Sequence, residues 1–198
     1  MLRRRFLAVA AATLAPSHLA ARPRPAAAPP IDVAAHNAEL LARLRAPGPP
    51  VRAWRWIVVH HTAAEHASLA GIDRYHRNHF GDPLGAEYHF VINNGKKRPI
   101  GLIEEARWRY QEPAWHLFKP DNAPASIAVC LIGNFEERPL PAAMLDALVD
   151  LTAALMRDFS IPAAQVSTHR VVDEKLTQCP GKQFPRDEFL RRISAPSG

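Results

Sequence analysis

The sequence predicts a single α/β domain, a mixed central sheet of about five strands flanked by helices. Three observations carry that expectation. Two short apolar runs rich in β-branched residues, Trp56–Val59 and Ile127–Ile132, have the pattern of buried central strands. Between Pro141 and Phe159, the residues Met144, Leu145, Leu148, Leu151, Thr152 and Leu155 recur at helical spacing, with Pro141 near the first turn. Strand and helix patterns also alternate along the chain, with one hairpin-like stretch in the middle.

Taken in order, residues 22–35 are rich in Pro and Ala, a composition that gives a stiff extended linker. His36–Leu44 has the pattern of a short helix, ended by Ala46-Pro47-Gly48-Pro49-Pro50. The core domain starts near Arg52. Its first strand, Trp56–Val59, runs into His60-His61-Thr62. A helix over 68–79 follows, with Ser68 as N-cap and Gly81-Asp82-Pro83 as its stop. Tyr88–Ile92 is the second strand, turned by Asn93-Asn94-Gly95. Ile100–Ile103 is a third, and Ile127–Ile132, the most apolar, is central. A short strand over Val166–Thr168 leads to His169, and a helix over Asp187–Ile193 closes the chain.

The 198 residues suffice for one compact domain and a leader. The net charge of +6 comes mostly from the N-terminus: five of the 25 basic residues and none of the 19 acidic ones precede residue 31. The remainder is nearly balanced, which removes the compositional case for a nucleic-acid partner. Arg3-Arg4-Arg5 followed by Phe6–Leu14 has the form of a basic region and a short apolar stretch, too short to span a bilayer. The expected organisation is an export signal over 1–21, a Pro/Ala-rich linker with a short helix over 22–51, and the functional domain over 52–198. The signal is open between the ordinary secretory and twin-arginine routes. The mature protein is then periplasmic or secreted, a monomer with no stable membrane insertion.

Three side chains suit a metal: His60 at the end of one strand, His169 at the end of another, and Cys179 ten residues further on. Imidazole and thiolate donors fit Zn²⁺, and three protein ligands leave a fourth position open, as in catalytic sites. The blander reading makes each histidine a solvent-facing strand-end residue and pairs Cys179 with Cys130 in a disulfide. Against the disulfide, Cys130 sits mid-strand among Ala128, Val129, Leu131 and Ile132, where a free cysteine acts as a small hydrophobe.

Four blocks occur in a telling order: Val58-Val59-His60-His61-Thr62, Tyr88-His89-Phe90-Val91-Ile92, Ser126–Phe135, and His169-Arg170 with Thr177-Gln178-Cys179-Pro180-Gly181. Together they resemble the zinc-dependent N-acetylmuramoyl-L-alanine amidases, the family of the peptidoglycan recognition proteins and the phage-lysozyme-type amidases. The resemblance runs from about Arg55 to Ile193. It implies that His60, rather than His61, joins His169 and Cys179 on the zinc. It implies that Tyr88 stands beside the metal and that Thr177 contacts the oxyanion. His116, after Trp115, matches a histidine lining the substrate groove. Two features depart from the family pattern: a longer interval between His169 and Cys179, and Glu87 where a small residue usually precedes the tyrosine.

Further candidates are weighed against ordinary roles. His61 is either a group behind the metal ligands or a solvent-facing residue. His76 and His79 read as surface or packing residues. Trp108 and Trp115 are open between sugar stacking and packing, and Asn122 between a stem-peptide hydrogen bond and a plain loop residue. Of Tyr88 and His89, one faces the site and the other the opposite side. The function expected is hydrolysis of the amide between N-acetylmuramic acid and L-alanine in peptidoglycan or muropeptides, with Zn²⁺ as cofactor. The alternative is a non-catalytic peptidoglycan-recognition module. Such relatives typically lack a metal ligand, often the cysteine, and Cys179 is present.

Overall fold

In a computed structural model, the described residues are 29–44, 52–117, 120–174 and 176–195, without the side chains of 120–122. The expected export signal, 1–21, lies outside them. The fold belongs to the unit Ile31–Gly198.

Five strands form one sheet in the order β3-β2-β4-β1-β5. They are β1 (Trp56–His61), β2 (Phe90–Ile92), β3 (Ile103–Glu105), β4 (Ser126–Leu131) and β5 (Val166–Thr168). β1 lies parallel between β4 and β5, with Val59 opposite both Val129 and Thr168. β2 runs parallel to β4, and β3 antiparallel to β2. The sheet is therefore mixed, with its hairpin where Asn93-Asn94-Gly95 marks the turn. The helices are α1 (Val33–Arg43), α2 (Leu69–Phe80), α3 (Ala142–Phe159), the short α4 (His169–Val172) and α5 (Arg186–Ser194). No described helix is long and apolar enough to cross a membrane.

Strand alternation sorts the two faces of the sheet. Ile57 and Val59, Phe90 and Ile92, and Ile127, Val129 and Leu131 point into the main core. There they meet Met144, Leu145, Leu148, Leu151 and Leu155 of α3 and Phe189 and Ile193 of α5. Each such Leu, fully buried, contributes about 1.5–3 kcal/mol. The opposite face carries Val91, Cys130 and Ile132, which pack with Ile72 of α2. His60 falls on this second face by the same alternation.

Several boundaries differ from expectation. α1 starts at Val33 because Asp32 caps it, its carboxylate accepting from the Ala35 N–H. Leu40 and Leu44 of the α1 segment are in the main core, and Asn37 bonds Gly101 and Ile103 at the sheet edge. α1 is thus docked on the domain that the sequence begins near Arg52. The second strand starts at Phe90, two residues late, because the His89 ring accepts the Ala128 N–H. The third covers 103–105. Ser68 caps α2 as expected, accepting from the Gly71 N–H.

Candidate metal centre and cleft

β1 carries His60 to the end of the sheet, and β5 delivers His169 beside it as the first residue of α4. The His60 and His169 ring centroids are 4.6 Å apart. Cys179 Sγ lies 3.8 Å from His60 Nδ1. One donor atom from each of these three residues lies within 4.8 Å of the others. The extra residues between His169 and Cys179 are absorbed by α4 and the turn after it. The Arg170 N–H then reaches back to the Cys179 carbonyl at 2.8 Å, closing the loop.

The donor set fits zinc. Burial, together with its histidine neighbours, holds His60 well below the ordinary imidazole pKa. Burial also holds His169 down, although Asp173 opposes it. Both rings therefore present neutral nitrogen donors. Burial pushes the Cys179 thiol up to about 12, against the opposing hydrogen bond from His61. A buried thiol of that kind becomes a thiolate when a dication pairs with it. The His61 backbone N–H, 3.2 Å from Sγ, already points at that sulfur. Cys130 and Cys179 are both free.

Each imidazole is held through its far nitrogen. His169 Nε2 donates to Asp173 Oδ2 at 2.7 Å, and Asp173 is fully buried. His60 Nε2 lies 2.8 Å from His116 Nδ1, and His116 Nε2 lies 2.7 Å from Ser126 Oγ. Such outer partners orient metal-binding rings. Neither Asp173 nor Ser126 was expected from the sequence. Asp173 left a signal, since it stands four residues after His169 on a helical turn. Ser126 left none, because only strand packing brings it to His116.

In front of these donors opens a cleft of about 580 Å³, lined by His169, Tyr88, Thr62, Glu87, Trp115 and the aromatic residues of α2, among others. The Tyr88 ring centroid lies 5.5 Å from that of His60. Burial, with Cys130 and Cys179 nearby, raises its pKa well above the ordinary phenol value, so its O–H stays protonated. Thr177 Oγ1 accepts the Cys179 N–H at 3.1 Å, which keeps that hydroxyl at the cysteine turn.

The other sequence candidates divide. Trp115 is 62% exposed and lines the cleft. His116 lines the cleft, and both its ring nitrogens engage neighbours, His60 and Ser126. His61 points the other way, toward Phe135 at 6.1 Å between ring centroids, because adjacent strand residues alternate. Its backbone N–H, rather than its ring, is the group that meets Cys179. The Asn122 side chain is outside the described residues. Trp108 is packing, buried against Trp54, Phe90 and Phe159. His89 is fully buried, and Tyr88 takes the site side.

Glu87 is not turned outward. It is 7% exposed and ends in a buried cluster with Arg107 and Asp82. Arg107 Nη2 sits 2.6 Å from Asp82 Oδ2, and the same guanidinium donates to the Ala86, Gly85 and Pro113 carbonyls. Glu87 Oε2 accepts the Trp115 N–H at 2.6 Å. The cluster thereby ties the segment before Tyr88 to the segment bearing Trp115 and His116.

The profile of a family described as N-acetylmuramoyl-L-alanine amidase matches residues 50–182. Among solved structures, the endolysin N-acetylmuramoyl-L-alanine amidase LysCS of Clostridium intestinale URNW is 26% identical, with a TM-score of 0.62 over 75% of this chain and 89% of that one. Bumblebee PGRP-SA, 22% identical, shares the fold with a TM-score of 0.56, over 68% of this chain and 79% of its own. Drosophila PGRP-LB, 23% identical, does so at 0.54, over 72% and 81%. No curated protein sequence matches this chain.

Proposed function

Because the chain belongs to the N-acetylmuramoyl-L-alanine amidase family, we propose that it is a zinc hydrolase acting on peptidoglycan. The bond cleaved is the amide between the lactyl group of N-acetylmuramic acid and the L-alanine of the stem peptide. The observation that carries this reading is the convergence of His60, His169 and Cys179 donors, within 4.8 Å of one another, behind a cleft that Tyr88 and His169 line. These three residues would hold the metal. A bound Zn²⁺ supplies Lewis-acid polarisation of a carbonyl and a nucleophile from water at neutral pH.

The chain's own residues do the rest. The cleft takes the muropeptide and holds the scissile carbonyl beside Tyr88. The phenol, kept protonated by burial, donates to the carbonyl oxygen as negative charge builds there. Thr177 adds a neutral hydroxyl next to Cys179. Trp115 offers an exposed aromatic face to the substrate. The basic and apolar stretches at the N-terminus support export, so the reading extends to a periplasmic or secreted enzyme.

The test is metal content and cleavage measured on the same preparations. Purified mature protein should hold about one zinc per chain and release stem peptide from muropeptides. His169→Ala and Cys179→Ser should lose both. Binding of peptidoglycan without cleavage by the zinc-loaded parent would replace this reading with the recognition module.

A further inference from the structure

The two nitrogens of His60 have different surroundings, and the difference fixes where its proton must be. Nδ1 faces Cys179 Sγ at 3.8 Å, and Nε2 faces His116. We propose that His116 and Ser126 are positioning residues that hold His60 as its Nε2–H tautomer, so that Nδ1 is always the bare donor.

The direction of each hydrogen bond follows from its far end. Ser126 Oγ donates its single proton to the Ala123 carbonyl at 3.0 Å. It can then only accept from His116, so the His116 proton is on Nε2. A neutral imidazole has one N–H, which leaves His116 Nδ1 as an acceptor. His60 must therefore donate from its own Nε2, and its Nδ1 keeps a lone pair turned toward Cys179. His60 and His116 are 1% and 7% exposed, and Ser126 is fully buried, so water does not compete for these bonds.

Reversing the chain would take a hydrogen-bond donor away from a buried carbonyl. Ser126 would have to turn its proton to His116, and Ala123, only 1% exposed, would lose that donor. His60 would then carry its proton on Nδ1, aimed at Cys179, and the nitrogen facing the metal ligands would have no lone pair to give. His169 solves the same problem differently, through the carboxylate of Asp173. One ligand is thus steered by a neutral relay, the other by an anion.

The consequence for zinc rests on the function proposed above, whereas the proton positions do not, and the experiment separates them. Ring ¹⁵N–¹H correlation spectra of labelled parent protein, as purified, should place the His60 and His116 protons on Nε2. A His60 proton on Nδ1 would overturn the relay whether or not zinc is bound. Zinc competition against a chelator then reads the consequence. His116→Phe should weaken zinc about 10–100-fold, and Ser126→Ala should weaken it less. His116→Gln should recover part of the loss, since its amide oxygen can accept from His60. Parent-like zinc affinity in folded His116→Phe and Ser126→Ala would also overturn the proposal. A parent that binds no zinc would sink the hydrolase reading and leave the spectra to decide the relay.

Discussion

Tyr88 faces the cleft from just outside β2, and the role proposed for it rests on a single proton. In the proposed reaction the phenol's hydrogen bond would be weak to a neutral carbonyl and strong to the oxyanion, so its loss would be felt in the transition state. We expect Tyr88→Phe to fold, to retain zinc and to lower kcat about 10²–10³-fold with little change in KM. Steady-state muropeptide cleavage beside a zinc assay checks this, and near-parent kcat would remove Tyr88 from the mechanism. Residues of this kind were legible because they end apolar strands: His60 follows Val58-Val59, and His169 follows Val166–Thr168. What the sequence could not carry was side-chain direction. His61 was a candidate by adjacency, yet strand alternation turns its ring toward Phe135 and leaves only its N–H near Cys179. His116 was legible as a site residue but not as a partner of His60, a relation that spans 56 positions.

At the scale of elements, the loop that presents Cys179 depends on a backbone approach. Gly181 has φ +104°, and a Cβ there would collide with the backbone of Phe135 and Glu136 just beyond β4. The Gln183 N–H donates to the Phe135 carbonyl at 2.8 Å and holds the same contact. Gly181→Ala should therefore cost at least about 1–3 kcal/mol from the left-handed backbone alone, and it should loosen zinc by shifting Cys179. Urea unfolding and chelator competition are the measurements; parent-like values in both would show that this approach is not needed. The elements themselves were readable where periodicity was strong. α3 was placed almost to its ends because five of its apolar side chains recur on one face. β2 is two residues shorter than its apolar pattern because His89 substitutes a ring nitrogen for a backbone acceptor, an exchange that leaves no trace in hydrophobic pattern. α1 was visible as a helix but not as part of the domain. Its polar anchor Asn37 and its buried Leu40 only acquire meaning once β3 is beside them.

For the whole molecule, one buried cluster makes stability depend on pH. Burial, then a hydrogen bond with Asp82, raises the Glu87 carboxyl from an ordinary 4.5 to about 7. Asp82 moves the other way, from 3.8 to about 2: burial pushes it up, but hydrogen bonds from Glu87, Arg107 and Leu84 outweigh that. Both acids flank the Arg107 guanidinium, Asp82 at 2.6 Å and Glu87 at 3.3 Å. For Glu87, the unfolded chain ionises above about 4.5 while the folded protein stays protonated, so folding takes up a proton and stability falls as pH rises. The loss grows between 4.5 and about 7, at no more than about 1.4 kcal/mol per pH unit, and then levels. For Asp82, the contribution is present above 3.8 and is lost as pH falls through about 2. This cluster therefore favours a maximum in mildly acidic solution. Glu87→Gln keeps an N–H for Asp82 and a carbonyl for the Trp115 N–H while removing the titration. We expect the parent to lose stability between pH 5 and pH 8 and the variant to lose markedly less, in urea unfolding at both values. Equal losses in the two proteins would show that Glu87 is ionised in the folded state at neutral pH. The group beside Tyr88 would then be a carboxylate facing the cleft, not a protonated acid that braces its two sides.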